Sequence, residues 1–303
     1  MRVIGHILAF VSVFFWSSLY VSIKILLEVF SPLELLILQF IIGYCLLLLI
    51  SPRFLKLTLK DELYLIFAGL CGITIYNLFL NLAIDISKAS NVSVIIATAP
   101  LFTALLANFF KIEKLSFVFF LAFVLCMGGI ILLSYEEGGF ILNPLGDGFA
   151  LLSALSWASY SLLILKIAQR TNHLILVTRR IIFYGILGIL PSFLFLDFSV
   201  NLANLLDLKI ALNLIFLSLF ASGICFILWN YATLLIGAVK TNIYVYLTPI
   251  ITIVASFFML EEKLSTLALL GAFLTLLGVI LAESKFSKPA DTALTTHTCK
   301  SIF

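Results

Sequence analysis

The chain has 303 residues, 63% of them hydrophobic and only 11% charged, with a formal net charge of +3 and a mean hydropathy of +1.24. Soluble domains carry about 25% charged residues, so a water-soluble fold is excluded, and nothing in so small a charge points to nucleic acid. The apolar runs are continuous rather than alternating, which fits membrane helices and not a membrane β-barrel.

A transmembrane helix takes about 20 apolar residues. Ten segments meet that length: 4–26, 32–51, 62–84, 89–110, 115–134, 146–167, 174–196, 210–233, 237–260 and 265–283. In the first, Ser12, Trp16 and Tyr20 fall at i, i+4 and i+8, one face of a helix. In the third, Asn77 and Asn81 are i, i+4. They either hydrogen-bond across helices or contact a substrate. The fourth has Pro100 near its middle, where the missing N–H frees the Ile96 carbonyl. It is followed by the turn Glu113-Lys114-Leu115-Ser116.

The sixth segment puts Ser153, Ser156, Trp157 and Tyr160 on one face at i, i+3, i+4 and i+7. Membrane tryptophans usually sit in interfacial belts, but Trp16 and Trp157 are near mid-span. Helix packing and a cavity wall are the readings left open. The seventh carries Arg179 and Arg180, about 8–9 Å deep at 1.5 Å per residue. They either snorkel to the interface or reach a cavity to hold a carboxylate or phosphate. The eighth holds Trp229 and Asn230, and the ninth holds Thr241, Tyr244, Thr248 and Pro249 before the turn Glu262-Lys263-Leu264-Ser265.

The two turns and the two prolines belong to one repeat. Residues 81–134 align without a gap to 230–283 at an offset of 149, with fifteen identities in 54 positions. The first and sixth segments align at an offset of 141, pairing Gly5/Gly146, Ser12/Ser153, Trp16/Trp157 and Ser18/Ser159. Repeats of this kind define an architecture. The expected fold is an all-α membrane protein of ten transmembrane helices. They form two five-helix repeats, 1–137 and 138–287, followed by a disordered cytoplasmic tail, 288–303. An odd number of spans per half gives the halves inverted topology, an arrangement that places substrate near the midplane.

With a cytoplasmic N-terminus, twelve Lys and Arg fall inside and four outside, leaving aside Arg179 and Arg180. This satisfies the positive-inside rule and puts both termini in the cytoplasm. No acidic residue falls near a span centre, which disfavours proton-coupled transport of organic cations. The five cysteines are scattered, with no CxxC, and the three histidines form no cluster. No metal site, cofactor motif or catalytic constellation is read, so an enzyme is not expected.

The ordered motifs resemble the drug/metabolite transporter superfamily, specifically its EamA-type members, over about residues 4–284. They are a Trp and small-residue first helix in each half, a mid-helix proline before Glu-x-Leu-Ser, and a glycine-bearing fifth helix (Gly128-Gly129; Gly271 with Gly278). Many members carry an Arg in the second helix shortly after a Ser-Pro entry. Here Ser31-Pro32 is present but Gln39 stands in that place, so helix 7 is expected to supply the basic contact. The resemblance implies alternating access around a central cavity in a cell-membrane permease, most often an exporter. Its partners are the bilayer, a small-molecule substrate and, as a candidate coupling ion, the proton.

The expected substrate is a small polar metabolite such as an amino acid, zwitterionic or anionic rather than cationic. The expected cavity residues are Trp16, Tyr20, Asn77, Asn81, Trp157, Tyr160, Arg179, Arg180, Trp229, Asn230 and Tyr244, with Pro100 and Pro249 as hinges. A drug-efflux permease and a non-transporting scaffold or lipid-handling protein are the alternatives.

Overall fold

The computed structural model describes residues 2–53, 55, 57–87, 89–112, 114, 116–133, 143–170, 173–195, 198–199, 201–252, 254 and 266–285. Glu113, Leu115, the turn Glu262 to Ser265 and the tail 288–303 lie outside them. The described residues form helices and hold no strand. We number them α1 (Arg2–Leu27), α2 (Pro32–Ile50), α3 (Leu59–Ile86), α4 (Ala89–Ile96 and Ala99–Phe109), α5 (Phe117–Leu133), α6 (Pro144–Ala168), α7 (Leu174–Leu194), α8 (Leu208–Ile236), α9 (238–252) and α10 (Thr266–Lys285). Seven of these are long and apolar enough to cross a bilayer, and two shorter apolar stretches lie in α5 and α10. Phe10 and Phe14 on α1, and Leu270, Phe273, Leu277 and Ile280 on α10, stay exposed. Faces of this kind need an apolar solvent, so the chain is a multi-pass membrane protein.

Local chemistry sets the helix starts. Ser31 and Glu34 form a capping box ahead of α2, with Pro32 at the first helical position. Thr58 caps α3, and Asn143 caps α6 just before Pro144.

Two irregularities recur at the repeat offset. A π-helical stretch occupies Leu70–Ile75 in α3 and Leu217–Ile224 in α8. Adding 149 carries the first onto 219–224, inside the second. The other irregularity precedes each proline. In α4 the helix breaks at Ala97-Thr98, and Pro100 is the second residue of the continuing segment. In α9 a 3₁₀ turn, Tyr244–Leu247, precedes Thr248-Pro249. Each proline cannot donate to the carbonyl four residues back and its ring crowds it, so the deformation falls on its N-terminal side. Thr98 helps to close the break in α4 by donating its hydroxyl to the Ile95 carbonyl at 2.6 Å.

The two halves interlock. α1 lies on α8, α6 on α3, and α5 on α10. At the last crossing a Cβ on Gly129 would stand 2.6 Å from the Gly271 carbonyl, and one on Gly278 2.5 Å from Cys126 Sγ. The Cys126 thiol donates to the Thr275 carbonyl at 3.6 Å, and the Thr275 hydroxyl reaches back to the Cys126 carbonyl at 3.5 Å. Gly129/Gly278 and Cys126/Thr275 are both pairs at the 149 offset, so this contact is reciprocal.

Candidate functional site

The same reciprocity appears at the centre of the bundle. Ser12 donates to the Cys225 carbonyl (3.4 Å) and Ser153 to the Tyr76 carbonyl (2.8 Å). Ser12/Ser153 and Tyr76/Cys225 are repeat pairs, so these bonds are two copies of one contact between a first helix and the opposite third helix. Trp16 and Trp157 then meet edge to face, ring centroids 5.3 Å apart. Trp229 lies 5.3 Å from Trp16 and 5.5 Å from Trp157. All three tryptophans of the chain thus form one cluster, widened by Phe226 and Tyr76.

Beside this cluster is a cavity of about 70 Å³ lined from seven helices. α1 supplies Val13, Trp16, Leu19, Tyr20 and Ile23; α2 supplies Gln39; α3 supplies Tyr76, Asn77 and Leu80; α4 supplies Ile96. α6 supplies Trp157, α8 supplies Leu217, Ala221, Ser222 and Phe226, and α9 supplies Val245 and Thr248. No acidic or basic side chain is among them.

Of the expected cavity residues, Trp16, Tyr20, Asn77 and Trp157 line this space. The indole N–H of Trp16 donates to the Ala221 carbonyl (3.2 Å), within the π stretch of α8. That of Trp157 donates to Asn242 Oδ1 (3.1 Å). The Asn77 amide donates to the carbonyls of Gly72 and Ile73 at 3.1 and 3.0 Å. These carbonyls belong to the π stretch of its own helix, where the regular hydrogen-bond ladder is disturbed.

Tyr160, Trp229 and Asn230 stand behind the lining. The Tyr160 hydroxyl donates to Asn230 Oδ1 (2.7 Å), and the Asn230 amide donates to Thr178 Oγ1 (2.8 Å). Asn81 donates to the Pro32 carbonyl at 3.3 Å. Tyr244 is drawn away from the cavity, its hydroxyl 2.9 Å from His6 Nδ1. Gln39, Tyr76, Ser222, Phe226 and Thr248 were not among the expected lining residues. Of these, Thr248 carried a sequence signal, the polar stripe it shares with Thr241, and Gln39 stands where the family resemblance places an Arg.

Neither arginine is among the residues lining this cavity. The Arg179 guanidinium is buried and donates to the backbone carbonyls of Ser51 and Arg53. Arg180 pairs with Glu62 at 2.7 Å and lies over the Tyr184 ring. The α2–α3 loop supplies acceptors at the depth of Arg179.

These contacts cluster at one end of the bundle. Both ion pairs between described residues are there, Arg170–Asp61 (2.9 Å) and Arg180–Glu62. Each joins α3 to the far half of the chain. The cavity residues of α3 begin at Tyr76, fifteen residues from Asp61 and so about 22 Å along the helix. One end is therefore clamped, and the cavity lies beyond mid-helix toward the other.

The description "EamA-like transporter family" matches this chain twice, at residues 3–135 and 144–283. A Bacillus subtilis protein, the uncharacterized transporter YdfC, is 26% identical over 95% of this chain and 93% of its own length. An uncharacterized transporter of Archaeoglobus fulgidus is 27% identical over 92% and 97%. A solved crystal structure superposes with a TM-score of 0.70 at 19% identity, covering 92% of this chain and 98% of that one. It carries the likeness of fold.

Proposed function

The chain belongs to the EamA-like transporter family, and from that premise we propose that it is a secondary transporter, not an enzyme, moving a small polar metabolite by alternating access. The observation that carries this reading is the central cavity, built by helices from both repeats, with the ion pairs between described residues all lying toward one end of the bundle. A space of about 70 Å³ is far below the roughly 300–1,000 Å³ of a drug-sized site. The reading therefore favours a small metabolite over drug efflux.

In this proposal the halves have inverted topology, the clamped end faces the cytoplasm of a cell-membrane protein, and the cavity is reached from outside. The turns before Pro100 and Pro249 are the hinges. Helix hydrogen bonding is already interrupted there, next to the cavity, so bending breaks few bonds.

Thiol labelling tests this. Cysteine is placed at Asn77 or Ser222 in a background whose five native cysteines are serine. The protein is then treated with a membrane-impermeant maleimide from each side of oriented vesicles. Labelling from the side away from Asp61 is expected. If neither side labels either position, the cavity is not a transport site and the scaffold alternative stands.

A further inference from the structure

We infer that the cavity takes an uncharged solute: a small ring compound carrying hydroxyl, amide or ring-nitrogen groups, and not an amino acid, amine, carboxylate or phosphate. This rests on the transporter reading and narrows it.

The argument starts from what the polar groups of the lining do. The two indole N–H groups and the Asn77 amide N–H₂ are used within the protein. The side-chain polar atoms of Tyr20, Gln39, Tyr76, Ser222 and Thr248 have no hydrogen-bond partner among the described residues, yet all five side chains line one cavity. Four of them are more than nine-tenths buried: Tyr20 at 5% exposure, Gln39 at 3%, Ser222 at 1% and Thr248 at 6%. None of the five is among the fully enclosed, unpartnered polar atoms of the described residues, so their polar atoms open onto the cavity. Five such groups around so small a space are available to bond an occupant.

All five groups are neutral. Hydroxyls and a carboxamide both donate and accept, so they suit an occupant that also does both. An ion is different. It would lose its hydration against Trp16, Trp157, Phe226 and aliphatic side chains, with no counter-charge in the lining. A buried charge without a partner is far more costly than a buried dipole. Arg179 and Arg180 are committed to Ser51, Arg53 and Glu62, and Lys24, next to the lining residue Ile23, donates to the Ile84 carbonyl at 3.0 Å. Rings and aliphatic side chains make up the rest of the wall, which favours a flat apolar body with a polar edge.

The test is binding to purified protein by matched series that hold shape and vary charge: nicotinamide, nicotinate and 1-methylnicotinamide, and uracil against orotate. The neutral members are expected to raise the melting temperature and to bind at least tenfold more tightly than their ions. Gln39→Leu and Thr248→Val are each expected to weaken neutral ligands about tenfold or more, about 1.4 kcal/mol each. Ions binding as tightly as the neutral members, or no neutral member binding, overturns the inference. The vesicle labelling separates the two readings. If Asn77→Cys labels from one side while ions bind best, the transporter stands and only the substrate class falls.

Discussion

Two positions related by the repeat have opposite fates. In the second half, Tyr160 of α6 lays its ring on Gly72 of α3, so closely that a Cβ there would meet the ring at 2.4 Å. The corresponding pair in the first half is Leu19 of α1 and Ala221 of α8, at offsets of 141 and 149. Those two side chains border open space: both line the cavity. The contact scheme is shared, down to the paired bonds of Ser12 and Ser153. An aromatic ring over a glycine fills one copy of the space, and an aliphatic side chain beside an alanine leaves the other open. A duplicated backbone thus makes two equivalent places, and side-chain volume decides which of them is a site.

The sharpest break in this comparison comes from the asparagines. Asn230 is fully buried and bonds both Tyr160 and Thr178. Asn230→Ala strands the Tyr160 hydroxyl and takes one bond from Thr178, whose hydroxyl still donates to the Leu174 carbonyl; it is expected to cost about 2–4 kcal/mol, about 1–3 for the unpaired group and about 1 for the lost bond. Asn81→Ala loses one bond, to the Pro32 carbonyl, and is expected to cost about 1 kcal/mol. Denaturant or thermal unfolding of the two purified variants measures the difference. Equal losses would mean that the two halves are packed alike.

The glycine and alanine give the next effect. Gly72→Ala drives a methyl into the Tyr160 ring and is expected to cost about 1–3 kcal/mol by overpacking. The reverse change at the equivalent place, Ala221→Gly, creates no clash and is expected to cost about 0.5–1 kcal/mol from helix propensity. The same unfolding measurement ranks them.

Leu19→Tyr copies the filled half onto the open one. It is expected to weaken ligand binding about tenfold, about 1.4 kcal/mol, while leaving the unfolding midpoint close to that of the parent. Undiminished binding would place the ligand elsewhere.

The smallest stability effect is expected at the clamp. Glu62→Gln removes a partly exposed pair and should cost about 0–1 kcal/mol in unfolding, because solvent screens it. Its readout is accessibility: labelling of Ser222→Cys from the Asp61 end should rise. Unchanged labelling would leave these ion pairs as packing alone.

Much of this was legible along the chain. The 149 and 141 offsets paired Trp16 with Trp157, and helical spacing put each on the inward face of its helix with a serine. Proline chemistry located the irregularities before Pro100 and Pro249. Other features gave no local signal. A π stretch is a small change in winding, and Leu70–Ile75 reads like any apolar helix. Gln39 is one polar residue in a continuous apolar run, with no periodic companion, and only the family resemblance, which places an Arg there, marked it. The partners of Arg179 were not legible, because depth along a helix gives the position of a charge but not its neighbours, and its acceptors are carbonyls more than a hundred residues earlier.

The sequence by itself determined the membrane setting, the helical architecture and the internal repeat. Each of these follows from composition, segment length and spacing within one stretch or between two copies. Only the tertiary structure decided which face of the aromatic cluster stays open, that the arginines are bound within the protein, and that the described residues of the lining carry no charge. Those outcomes depend on which distant side chains meet, and on whether their volumes fill the gap between helices or leave it.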